Sequence, residues 1–167
     1  MAPSLTEIAF RTIQQGRSLA GLAHKELSTK AMELLAPDVV PNTEPVPDAL
    51  MKELRRSLSA LQDIDWQESE QGLYPKSLLF DIPWLEWAER YPRVWLDLPS
   101  NWARRRARNV QDIPETHNKE LYPDYYLQNF HHQTDGYLSD HSAELYDLQV
   151  DILFNGATDS MRRRLIA

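Results

Sequence analysis

The chain has 167 residues, 42% of them hydrophobic, a formal charge of −7 at pH 7 and no cysteine. That length holds one domain with a core but not a long helical region plus a complete Rossmann-like domain. The lack of thiols excludes disulfides and thiolate chemistry, and the acidic balance argues against nucleic acid, which needs a Lys and Arg excess.

Five Trp and seven Tyr place the chain among folded proteins. No run reaches the roughly 18 to 20 apolar residues that span a bilayer. The start, Met1 to Glu7, lacks the basic flank and apolar block of a secretion signal, so a soluble, cytoplasmic protein is expected.

From Ser4 or Thr6 to Leu35, apolar residues recur at Leu5, Ile8, Ile13, Leu19, Leu22, Leu27 and Leu34 with helical rhythm. Gly16 and Gly21 are candidate break points, and Pro37 closes the run. Residues 1–36 are thus an N-terminal helix, and 37–47, rich in proline, are an extended linker. Asp48 is expected to cap an amphipathic helix with Leu50, Met51, Leu54, Leu58, Leu61 and Ile64 on one face. The two helices suit an antiparallel pair.

Between Gly72 and Leu98, Pro75, Pro83, Pro92 and Pro99 punctuate an aromatic-rich stretch and predict only short helices such as Pro83 to Arg90. Trp84, Trp87, Tyr91 and Trp95 read as core anchors or as a ligand platform. Ser100 is placed to cap a basic turn holding Arg104, Arg105, Arg106 and Arg108. Those arginines read as a solvated face with carboxylate partners, phosphate or nucleic-acid contact being the alternative. Tyr122 to Gln133 is predicted helical, and Ser139 caps a further helix from Asp140 to Asn155. After Gly156, Thr158 or Asp159 can cap a last helix through Arg162, Arg163 and Arg164. The expected fold is mostly α: an irregular helical domain with an N-terminal helix pair and Pro- and aromatic-rich connections.

His131, His132, Asp135 and His141 are metal-capable side chains, but nothing in their spacing demands an ion, and no metal site is assigned. Helix-capping and turn roles account for the histidines equally well. No Gly-x-Ser-x-Gly elbow, phosphate-binding loop with Lys or His-Glu-x-x-His helix is present.

The segment Tyr146-Asp147, then Gly156, Met161 and Arg162, resembles the approach to the first strand in quinone-biosynthesis-type class I methyltransferases. Val150 and Met161 depart from it, standing where that family commonly has Asn and Trp. The wider run from Leu121 through Tyr125-Tyr126 and Asn129-Phe130-His131-His132-Gln133-Thr134-Asp135-Gly136-Tyr137 is similar to cyanobacterial and plastid methyltransferase-like proteins. The resemblance implies that residues 48–167 are a helical cap region leading into a Rossmann-like domain outside these residues, where S-adenosyl-L-methionine would be bound. The Asp-x-Gly-x-Gly cofactor loop is not in this sequence, whose five glycines stand at 16, 21, 72, 136 and 156.

It further implies a small or lipid-like methyl acceptor, with His131 or His132 as general base. Tyr125, Tyr126, Asp135 and Tyr137 would line an acceptor pocket, and Tyr146, Asp147 and Arg162 would lie near the cofactor. Methyl transfer from a sulfonium is a direct displacement that needs alignment, exclusion of water and sometimes a base. The alternative is a stand-alone helical protein-interaction module working through the Trp84 to Trp95 stretch or the arginine turn.

Overall fold

The computed structural model describes residues 2–113, 119–129, 135–136 and 139–167. It is mostly helical, with no strand among the described residues. The helices are α1 (Leu5–Leu35), α2 (Asp48–Glu70), α3 (Trp84–Ala107), α4 (Asp140–Leu153) and α5 (Thr158–Arg163), with 3-10 turns between them. Among the described residues no helix is long and apolar enough to cross a membrane.

The chain gathers into two compact units, one of Met1–Glu26, Asn42–Ile82 and Asp151–Ala167, the other of Leu27–Pro41 and Pro83–Val150. In the first unit Ser4 Oγ accepts the Glu7 amide at 3.1 Å, satisfying one of the orphan donors that begin α1. α1 runs unbroken through Gly16 and Gly21, so neither glycine splits it. The buried stripe of α1 is Phe10, Gln14, Arg17, Gly21 and His24, while Leu5, Ile8, Leu19 and Leu27 lie exposed. The helix is where the sequence placed it, but the face turned inward is the polar one.

α2 likewise forms as expected but buries its C-terminal end, Gln62, Asp65, Trp66, Glu68 and Ser69, rather than the Leu50 and Leu54 face. Pro47, not Asp48, precedes its first turn. α2 stops because Gly72 takes φ +78°, which lets the Leu73 amide reach Glu68 O at 3.1 Å and the Gly72 amide reach Ser69 O at 3.0 Å. Around this end Phe10, Trp66, Tyr74 and Leu79 form a small apolar cluster, with Phe10 and Trp66 ring centroids 5.8 Å apart.

α4 ends in the same way. Asn155 and Gly156 have φ +52° and +81°, and the Gly156 amide reaches back to Asp151 O at 2.9 Å. α1 meets this corner backbone to backbone. A methyl group at Gly21 would stand 3.1 Å from Asn155 Cα, and one at Gly156 would stand 2.7 Å from Arg17 Cβ. These two glycines therefore allow the approach that a side chain would block.

In the second unit α3 is a single helix of 24 residues that passes through Pro92 and Pro99. The short helices expected there, and the Ser100 cap, are replaced by one continuous element. Pro92 and Pro99 are seven residues apart and both exposed, whereas Val94 and Leu98 are buried. The backbone acceptors the prolines leave unused thus belong to the solvated side, where water serves them. The Ser100 hydroxyl donates back to Asp97 O at 2.8 Å instead of capping.

The aromatic residues of α3 pair edge to face along its surface, Trp84 with Trp87 at 6.0 Å and Tyr91 with Trp95 at 6.5 Å. Trp84 stays 50% exposed, so it is not the core anchor that ring size suggested. Arg93 and Glu144, at 2.8 Å, and His141 and Asp97, at 2.9 Å, tie α3 to α4, whose first turn Ser139 caps through the Ser142 amide.

The helix expected over Tyr122 to Gln133 is a 3-10 turn, Asp124–Leu127, followed by extended Gln128; Phe130 to Gln133 lie outside the described residues. Asn129 explains the departure. Its amide donates to Val110 O at 2.8 Å, and its side chain exchanges two bonds with the Asp112 backbone at 2.7 and 3.0 Å, which fixes this stretch against residues 110–112.

Gly156→Ala should therefore destabilise the chain by about 1–3 kcal/mol, combining a strained φ with a clash. Gly16→Ala, in a helical position with open space around it, should stabilise by roughly 0.5–1 kcal/mol. Urea midpoints of the two variants should move in opposite directions.

Candidate functional site

The segment that carries the methyltransferase resemblance, the end of α4, Gly156 and α5, is held by three charged side chains. Arg17, buried in α1, points one terminal nitrogen at Asp151 Oδ1 (2.5 Å) and Asp159 Oδ2 (2.7 Å). Lys25, two turns further along α1, donates to Leu153 O at 2.7 Å and Asn155 Oδ1 at 2.8 Å, satisfying a C-terminal carbonyl where a cation is also favoured by the helix dipole. Asp159 thus serves as an ion-pair partner; α5 begins without a side-chain cap.

The third contact is made at Asp65 of α2, which is fully buried. Arg163 approaches it as a two-pronged fork, Nε to Oδ1 at 2.8 Å and Nη2 to Oδ2 at 2.7 Å, and its remaining arm reaches Leu78 O at 2.8 Å. Ser160 Oγ donates to Oδ2 at 2.7 Å and the Tyr74 hydroxyl to Oδ1 at 2.6 Å. Each carboxylate oxygen therefore accepts two hydrogen bonds, the condition under which a buried charge is tolerated. Arg164 adds an ion pair to Glu68.

Burial pushes the Asp65 carboxyl up, but the hydrogen bonds from Arg163, Tyr74 and Ser160 and the Arg163 charge outweigh it and hold the group below its ordinary value. Burial and the bond to Asp65 raise Tyr74, which stays a neutral donor. Asp151 goes the other way, raised by desolvation against the pull of Arg17. A carboxylate with all its acceptor positions filled has no free lone pair for a substrate proton, so the Asp65 cluster is built to hold α5 rather than to react.

The residues singled out from sequence are dispersed. Tyr125 and Tyr126 form an edge-to-face pair with centroids 5.7 Å apart, both largely exposed. Asp135 accepts from Ser142 Oγ at 2.8 Å, and Tyr146 and Asp147 on α4 and Arg162 on α5 are exposed. His131, His132 and Tyr137 lie outside the described residues. Among the described residues no three His, Asp or Glu side chains come together as a metal site.

Sequence reading missed Arg17, Lys25, Asp65 and Tyr74. Their partners lie 134, 128 and 98 positions away for the first three, and no local pattern signals such pairs; Arg163 was visible only as one of three successive arginines. No protein-family model, curated protein or solved structure matches the chain.

Asp65→Asn leaves Arg163 buried without a counter-charge and should cost about 3–5 kcal/mol, read as a drop in urea midpoint. The pH dependence follows from the shifts. Asp65, lowered on folding, contributes stability above about pH 4 that is lost as pH falls through its folded value. Asp151, raised on folding, contributes stability at low pH that is lost as pH rises through its folded value. Comparing urea midpoints between pH 7 and about 2, Asp65→Asn should reduce the acid-side loss and Asp151→Asn should steepen it.

Proposed function

We propose that this chain is the helical cap and acceptor-side region of a class I S-adenosyl-L-methionine-dependent methyltransferase acting on a small or lipid-like acceptor in the cytoplasm. The cofactor loop would lie beyond these residues. The reading rests on the resemblance between Tyr146 and Arg162, and one observation supports it. The corner that carries the resemblance is gripped from inside by Arg17, Lys25 and Asp65, while Tyr146, Met161 and Arg162 remain exposed. A cap that must present one segment in a fixed shape to a cofactor domain needs that division between a held inner face and an available outer one.

In this reading Tyr146 offers a ring and hydroxyl beside the cofactor or acceptor, Asp147 and Arg162 lie near the cofactor, and His131 or His132 takes the acceptor proton. Tyr125, Tyr126, Asp135 and Tyr137 form the acceptor wall. Binding and orientation come from this region, and the sulfonium methyl group comes from S-adenosyl-L-methionine.

A second reading, a helical interaction module, is favoured by the docking of α5 on α2 through Arg163 and Ser160. Such docking gives the last helix a support of its own.

The reading frame beyond Ala167 separates the two. Under the first, it continues into an apolar strand and an Asp-x-Gly-x-Gly turn, and in that protein Tyr146→Ala should lower methyl transfer about tenfold with an unchanged urea midpoint. A stop codon directly after Ala167 would sink this reading and leave the interaction module.

A further inference from the structure

Beside the end of α3 lies a cleft of about 280 Å³ lined by Asp38, Val39, Pro41, Arg105, Arg106 and Arg108. Its lining charges leave an excess of two positive in a chain whose net charge is −7. Arg106 is fixed there by Asp38, which accepts its Nε at 2.5 Å and its Nη2 at 2.7 Å. Arg105 and Arg108 have no ion-pair partner among the described residues and are exposed. The sequence expectation that carboxylates would neutralise this turn therefore holds for Arg106 alone among the three.

Two features argue for a binding cleft over a merely solvated face. Arg108 takes φ +52°, a conformation that disfavours a side chain, at the point where the Asn109 amide closes the helix on Arg104 O at 3.1 Å. Glycine or asparagine would fill that position with less strain, yet a guanidinium stands there beside the cleft. Arg106, paired with Asp38 by a two-pronged bond, forms one wall of the cleft, and its neighbours Arg105 and Arg108 have no such partner among the described residues. A local positive region in an acidic protein concentrates anions from solution, and guanidinium forks match the paired oxygens of phosphate, as they do those of carboxylate; the charge excess of two favours the phosphate dianion.

We propose that this cleft binds the phosphate group of a small soluble phosphorylated molecule, with Arg105 and Arg108 as the direct ligands and Arg106, held by Asp38, as the wall that positions it. The charge excess of two matches a phosphate dianion. The cleft volume lies near the lower end for small-molecule sites, which favours a compact ligand, and its lining is polar, with only Val39, Val40 and Pro41 contributing apolar surface. The proposal does not rest on the methyltransferase reading.

The test is calorimetric titration of the full chain with inorganic pyrophosphate, and separately with vesicles containing phosphatidic acid and with single-stranded RNA. Saturable pyrophosphate binding is expected, weakened about tenfold by Arg105→Gln and about tenfold by Arg108→Gly. Arg108→Gly relieves the strained φ, so its thermal midpoint should not fall, and lost binding cannot then be put down to misfolding. Binding to pyrophosphate that neither arginine variant alters, or no binding at millimolar concentration, would overturn the proposal. Vesicle binding without pyrophosphate binding would overturn it in favour of a headgroup, and RNA binding alone, falling steeply with salt, in favour of nucleic acid.

Discussion

The bidentate pair between Asp65 and Arg163 is the constraint on which the first unit depends. It joins residues 98 positions apart, and both partners are buried. A charge taken out of water costs several kcal/mol unless its hydrogen bonds are replaced, so once α5 supplies Arg163 and Ser160 and the turn after α2 supplies Tyr74, the arrangement has few alternatives. Burying an apolar face tolerates sliding by a turn; four hydrogen bonds on one carboxylate do not. The Phe10, Trp66, Tyr74 and Leu79 cluster adds area around this point, and Tyr74 belongs to both.

The same logic recurs at Arg17. One terminal nitrogen serves Asp151 at the end of α4 and Asp159 at the start of α5, so the turn between those helices is clamped from α1. Arg17, Gly21 and Lys25 stand four residues apart on one helical face, and each acts differently: charge, absence of a side chain, and a donor to a helix end. Here α1 contributes more through polar geometry than through hydrophobic area.

This is why α1, α2 and α4 were legible in the sequence while the buried faces of α1 and α2 were not. α1, α2 and α4 follow from apolar rhythm, Ser4 and Ser139 caps and the Pro37 stop. Rhythm assumes that the apolar stripe is the buried one, however, and in α1 the buried stripe is Phe10, Gln14, Arg17, Gly21 and His24. The partners of Arg17 and Asp65 are distant in the chain, and one sequence does not pair distant charges. α3 was missed because proline was weighed as a breaker wherever it occurred. Two prolines a heptad apart on the exposed side leave the buried ladder at Val94 and Leu98 intact. Of the candidate site, the break at Gly156 was legible from its glycine, but the residues that hold it were not.

Among the described residues, buried polar side chains are as numerous as buried apolar ones. The heat-capacity change of unfolding grows with exposed apolar area and is reduced by exposed polar area. A chain whose interior is so largely polar should have a flatter dependence of stability on temperature than its length implies. Its fold would then be comparatively indifferent to cooling, because what is locked in its interior is charge and hydrogen bonding, which do not fade in the cold as hydrophobic association does.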